Sequence, residues 1–129
     1  MKEPVIVSAV RTPVGRLGGS LSSVTDRALA GLVIKEAMVR AGVQPDQVEE
    51  LIFAQQYRTG ELPPNMARPV GIDAGLPIPV PAFTVAKACG GSLKTVFLAA
   101  QAIKAGDHSL IVAGGVESMS GAAYLLPKA

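Results

Sequence analysis

The apolar positions of this chain fall into short runs separated by turn residues, with stretches of helical spacing between them. VIVSAV, from Val5 to Val10, is apolar and β-branched without alternation, and predicts a buried strand. RTPVGRLGGS, from Arg11 to Ser20, carries a Pro and three Gly and predicts a loop. Ser23 to Asp26 has the Ser-x-x-Asp spacing of a helix start. Leu29, Ala30, Val33, Ile34, Ala37, Met38 and Ala41 then recur along one side of a helix. Arg27, Lys35, Glu36 and Arg40 cover its other side, and Gly42 is placed to stop it. Pro45 opens a short helical turn to Val48, and LIFA, from Leu51 to Ala54, predicts a second strand. Gln55 to Pro64 is polar and rich in turn residues. Met66 to Ala74 predicts a short helix broken at Gly71, and Pro77 to Pro81 an extended segment. AFTV, from Ala82 to Val85, is a third strand. A helix from about Ser92 to Ala105 is expected to turn Leu93, Val96, Phe97, Ala100 and Ile103 inward and to end at Gly106. LIVA, from Leu110 to Ala113, is a fourth strand, followed at once by Gly114 and Gly115.

Strands alternate with helices, and the strand runs are apolar on both faces. That is the pattern of βαβ units around a buried, mostly parallel sheet, an α/β fold. The final residues, Leu-Leu-Pro-Lys-Ala, add no further element, so the sheet is expected to be unfinished. Composition agrees with a packed core: 49% of residues are apolar and 17% charged, which excludes disorder. The net charge of +2 is spread without a basic block, so no nucleic-acid partner is expected. No run reaches the length of a membrane span, and the N-terminus has no signal-peptide core. A cytoplasmic protein is expected. One Cys and one His cannot form an internal disulfide or a Cys/His zinc site, so no metal is expected; with no nucleotide fingerprint in the chain, no tightly bound cofactor is expected either.

The chemistry centres on Cys89. It lies between a strand and a helix and is followed by Gly90 and Gly91. The N–H groups of a first helical turn stabilise a thiolate, and also the oxyanion of a carbonyl under attack. Glycines there let an acyl group come close to the backbone. These features point to a nucleophilic thiol for acyl transfer. The alternative is a small buried packing residue, the commoner use of a free cysteine. Gly114, Gly115, Glu117 and Ser118 follow a strand, where parallel-sheet folds place their sites, and Glu117 is suited to anchor hydrogen bonds. A plain strand-ending turn is the alternative. Gly90-Gly91-Ser92-Leu93-Lys94 lacks the spacing of a phosphate loop. His108 reads as a turn residue rather than a base. Arg11, Arg16, Arg58 and Arg68 read as solvated or structural side chains.

Several of these stretches resemble the thiolase family. VIVSAVRTPVGRLGGSL from Val5 to Leu21 is similar to its opening. AGLPIPVPAFTV from Ala74 to Val85 runs similarly into Lys87-Ala88-Cys89-Gly90. LAAQAIKAGD from Leu98 to Asp107 and VAGGVESMS from Val112 to Ser120 continue in order. The resemblance covers essentially the whole chain as part of an N-terminal domain, residues 1–129, with the C-terminal domain absent, and implies a layered α/β/α half-domain with a mostly parallel sheet. It implies ping-pong acyl transfer that forms or cleaves 3-oxoacyl-CoA, acetoacetyl-CoA above all, with Cys89 carrying the acyl group and a coenzyme A thioester as substrate. It implies a homodimer or homotetramer in which Ala82 to Val85 pairs with its copy. It also places the family's catalytic His, its second Cys and most of its CoA-binding loop after Ala129, so this segment is expected to condense little by itself and to expose apolar surface that promotes self-association. Two positions depart from the pattern. Ala86 stands where the family has Asn in Val-Asn-Lys-x-Cys, and Gly90-Gly91-Ser92 stands for Gly-Ser-Gly. A pocket of different shape is expected. Two other readings stay open: a non-catalytic chain that folds and oligomerises, and a condensing enzyme that uses an acyl-carrier protein.

Overall fold

In the computed structural model, residues 2–57, 64–124 and 126–128 are described. Helix α1 spans Asp26–Ala41, α2 Ala67–Asp73 and α3 Gly91–Ala105. Strands β1, β2 and β3 are Glu50–Ala54, Ala82–Val85 and Ile111–Gly115. They form one sheet in the order β2-β1-β3, and both pairings are parallel. Ile52 pairs with Phe83 on one side and with Ala113 on the other. The centre strand β1 is buried on both faces, as its unbroken apolar run requires.

Side chains alternate across β1. Leu51 and Phe53 join Ala30, Ile34 and Met38 of α1 and Ala67 and Val70 of α2 in one core. Ala54 points to the opposite face, where it meets Gly91 of α3. The three layers are therefore α1 with α2, the sheet, and α3, an α/β/α sandwich.

Local chemistry sets the helix ends. Gly42 and Gly106 adopt left-handed φ of 66° and 91°, and each donates its N–H to the last carbonyls of its helix. The start of α1 is capped by Thr25, whose hydroxyl accepts the Ala28 N–H at 3.2 Å. Ser23 does not cap it as the spacing implied. Asp26 is the first helical residue, and its carboxylate turns inward to accept the Gln55 side-chain N–H at 2.7 Å.

Four further expectations are corrected. Val5 to Val10 forms no strand, and Val5, Ile6 and Val7 are 72%, 75% and 62% exposed. A strand is stable only with a ladder partner, and no described segment supplies one there. Gly71 does not break α2. A Cβ at that position would stand 2.9 Å from Leu51 Cδ2, so the glycine lets α2 lie close on β1. Pro77 to Val80 turns rather than extends, with the Val80 N–H on the Pro77 carbonyl at 3.1 Å. Arg68 staples this turn from α2, donating to the carbonyls of Val80 and Ile78 at 2.7 and 2.6 Å. That is the structural use expected of Arg68, whereas Arg58 lies outside the described residues.

The fourth correction concerns α3. Its inward stripe is Gly91, Thr95 and Ala99, while Leu93 and Phe97 are 60% and 53% exposed. Small residues win the inner face because this helix lies very close to the sheet. A Cβ on Gly91 would stand 2.9 Å from Ala54 Cβ, and the buried Thr95 hydroxyl lies 3.1 Å from the Gly114 carbonyl.

Candidate active site

Cys89 lies at the C-terminal end of the parallel sheet, in a single 3-10 turn from Ala88 to Gly90 that joins β2 to α3. It is an exposed free thiol, so the buried-packing alternative does not apply. No side chain caps the first turn of α3 that begins beside it. The preceding residue, Ala88, has φ of +43°, the only non-glycine among the described residues with a positive value. Alanine resists that region because its Cβ crowds the backbone carbonyl, so the surroundings must hold it there.

The two glycines after Cys89 do different work. Gly90 faces open space, and a Cβ there would meet nothing within 4 Å. Gly91 is buried and lets the start of α3 touch Ala54 of β1.

The Gly114–Ser118 segment supports this end of the sheet. Gly114 and Gly115 lie inside β3 rather than after it, because close approach and not a turn requires them. A Cβ on Gly114 would stand 2.7 Å from the buried Phe53 ring. One on Gly115 would stand 2.3 Å from Ser92 Oγ and 3.0 Å from the Ala54 carbonyl. Glu117 accepts two backbone N–H groups from the loop after β1, those of Gln56 at 2.7 Å and Tyr57 at 3.1 Å. Ser118 opens a 3-10 turn at Met119–Gly121, and its carbonyl accepts the Gly121 N–H at 3.0 Å. The Ser120 hydroxyl accepts the Gly18 N–H at 2.9 Å, which ties the N-terminal loop to the same end.

One participant was not visible in the sequence. The Gln56 side-chain carbonyl accepts the Ala88 N–H at 2.8 Å. Gln56 sits in a polar turn-rich stretch, and no pattern there marks it.

His108 is far from this site. It precedes β3, whereas Cys89 follows β2, and parallel strands of five and four residues separate the two ends by about 15 Å. Both its ring nitrogens lie 3.5 Å from carboxylates, Nδ1 from Glu49 and Nε2 from Glu50. The Ser109 N–H donates to Glu49 at 2.6 Å, and this bond holds the Glu49 carboxyl below its usual range. A cleft of about 550 Å³ between Val48, Val80, Gly106 and His108 opens at that end, away from the thiol. Among the described residues, no cluster of His, Cys, Asp or Glu has the geometry to hold a metal ion, and no helix is long and apolar enough to cross a membrane.

Comparison with known proteins agrees with the geometry. Residues 4–129 match the family model described as thiolase, N-terminal domain. An acetyl-CoA acetyltransferase of Cupriavidus necator is 52% identical over 127 residues, 98% of this chain and 32% of that protein. An acetyl-CoA acetyltransferase of Syntrophomonas wolfei is 48% identical over 128 residues, 99% of this chain and 32% of that protein. The crystal structure of the Bacillus anthracis acetyl-CoA acetyltransferase superposes with a TM-score of 0.90 at 38% identity, over 96% of this chain and 31% of that one. The chain thus spans about a third of the length of the curated relatives it matches. The sheet order, the thiol at the mouth of α3 and these matches lead to one conclusion: the chain belongs to the thiolase family, and matches the model of its N-terminal domain over residues 4–129.

Proposed function

We propose that this chain contributes the acyl-accepting thiol of a thiolase-type acyltransferase acting on acetyl-CoA. The exposed Cys89, fixed between a constrained Ala88 and the start of α3, is the observation that carries the reading. In the proposed step, Cys89 Sγ attacks the thioester carbonyl of acetyl-CoA. A new S–C bond forms and the C–S bond to coenzyme A breaks. The proton given up by Cys89 ends on the departing thiol, and the acetyl group stays on the protein as a thioester. The backbone N–H of Cys89 would help to receive the transient oxyanion, and the open space at Gly90 would admit the acyl group. Gly91 would serve the same pocket by bringing α3 close to the sheet. The named acetyl-CoA acetyltransferases among its relatives support this substrate class.

Condensation of two acetyl units needs a base to remove an α-proton. His108 is at the other end of the sheet, and Cys89 is the one cysteine of this sequence. The chain as it stands should therefore take an acetyl group without forming acetoacetyl-CoA. A homodimer through the outer edge of β2 is proposed with this reading, since β2 pairs on one side only among the described residues.

Intact mass after incubation with acetyl-CoA, followed by peptide mapping, tests the proposal. A single acetyl adduct on Cys89, absent in Cys89→Ser, is the expected result. An unmodified chain whose Cys89 is still alkylated readily by iodoacetamide would refute the reading for this chain, and would favour a non-catalytic role. Acetylation from a carrier-protein thioester but not from acetyl-CoA would favour the carrier-dependent alternative.

A further inference from the structure

We infer that Gln56 is a positioning residue for Cys89, held in place by Glu117. Three loops meet at the C-terminal end of the sheet, and one hydrogen-bonded path joins them. Glu117, after β3, accepts the backbone N–H groups of Gln56 and Tyr57 at 2.7 and 3.1 Å, which fixes the loop after β1. From that fixed backbone the Gln56 side chain reaches the loop after β2 and accepts the Ala88 N–H at 2.8 Å. Ala88 is the residue whose φ of +43° an alanine does not hold unaided, and Cys89 is bonded directly to it. Two residues before Ala88 stands Ala86, with no polar side chain to offer, and the acceptor comes from another strand's loop. On the other side of the thiol, the Gly90 N–H bonds back to the Lys87 carbonyl at 3.0 Å. The Ala88 peptide is thus pinned from both directions, by Gln56 at its own N–H and by the tight turn beyond it.

The purpose of this arrangement rests on the acyl-transfer reading, but its geometry does not. A side chain that holds the turn fixes where the sulfur points relative to α3. Without the acceptor, Ala88 relaxes toward an ordinary negative φ and the thiol rotates off the mouth of the helix. Gln56 therefore acts through the backbone and touches no reacting atom.

A double-substitution cycle on the whole chain tests this. Gln56→Met keeps the side-chain length and removes the acceptor, and Ala88→Gly removes the need for it, because glycine adopts positive φ freely. Alkylation of Cys89 by iodoacetamide at fixed pH is the readout, with melting temperature measured in parallel. Gln56→Met should slow alkylation roughly fivefold, the factor that one neutral hydrogen bond supplies. In the Ala88→Gly background the same change should cost less than about twofold. Gln56→Glu, which keeps an acceptor oxygen, should restore the turn. Equal slowing in both backgrounds, or no slowing in either, would overturn the inference. Should Gln56→Met fail to fold, the amide exchange of Ala88 in the unaltered chain decides. Slow exchange at this exposed residue supports the bond, and exchange at the random-coil rate refutes it. An absent acetyl adduct beside an intact cycle would remove the acyl-transfer reading alone. An adduct formed without any coupling in the cycle would remove this inference alone.

Discussion

Replacing Gly115 by alanine is the sharpest test of how the sheet end is built. The added Cβ would stand 2.3 Å from Ser92 Oγ, 3.0 Å from Ala54 Cβ and 3.0 Å from the Ala54 carbonyl oxygen. The serine hydroxyl can rotate away. The two Ala54 atoms cannot, because β1 is the central strand and that carbonyl accepts the Val116 N–H at 3.0 Å. The new methyl group must therefore push β3 from β1 by a few tenths of an ångström, against a pairing that is already tight. Overpacking of this kind costs roughly 1–3 kcal/mol. With an unfolding entropy of about 2 cal/mol/K per residue, a chain of 129 residues loses roughly 4–11 °C of melting temperature. The assay is thermal unfolding by circular dichroism, with Gly90→Ala as the control. That glycine has no neighbour within 4 Å of a built Cβ and an ordinary φ of −91°, so its replacement should stay within about 0.5 kcal/mol of the parent. If Gly115→Ala melts with the parent, or no lower than Gly90→Ala, the close-approach argument is wrong.

Three other outcomes follow from the same structure. Thr25→Ala removes the hydroxyl that accepts the Ala28 N–H, and should lower stability by about 1 kcal/mol in denaturant titration; an unchanged midpoint would return the cap to Ser23. Thr95→Val keeps the shape of a fully buried side chain but deletes its hydroxyl bonds to the Ser92 and Gly114 carbonyls. A loss of about 1–2 kcal/mol is expected, with no change in helix content, and a neutral result would mean that shape alone seats α3. Glu49 has its carboxyl held below the usual 4.5, first by the Ser109 N–H, so its contribution is complete above that value and fades as pH falls through the lowered one. The melting-temperature gap between parent and Glu49→Gln should therefore narrow as pH falls below 4.5; a gap that widens below 4.5 would contradict the sign.

Most of the layering was legible, because it depends on local spacing. Gly42 and Gly106 could be placed as helix stops because a left-handed residue is a local demand. The apolar run of β1 was readable because burial on both faces leaves no polar alternation, and those of the half-buried β2 and β3 because turn residues bound them. Failures came where a distant partner decides. Val5 to Val10 has strand composition, but strand formation depends on a neighbouring ladder, which composition does not report. On α3, large apolar side chains pointed to the wrong inner face, because the nearness of helix and sheet selected the small residues instead. Cys89 could be singled out as a candidate from its flanking elements, whereas Gln56 could not. Its role is created by the meeting of three loops that are far apart in the chain.

The seating of α3 on Gly91, Thr95 and Ala99 has a consequence for how this domain tolerates change. A helix spaced from its sheet by bulky side chains can absorb a lost methylene by repacking. One spaced by almost nothing has no slack, and any added atom on that stripe lifts the whole rod together with the thiol turn at its head. Leu93 and Phe97 on the outward side are unconstrained by the sheet. In a saturation scan of this domain by itself, sensitivity along α3 should therefore run out of phase with hydrophobicity, peaking every fourth residue at its least conspicuous positions.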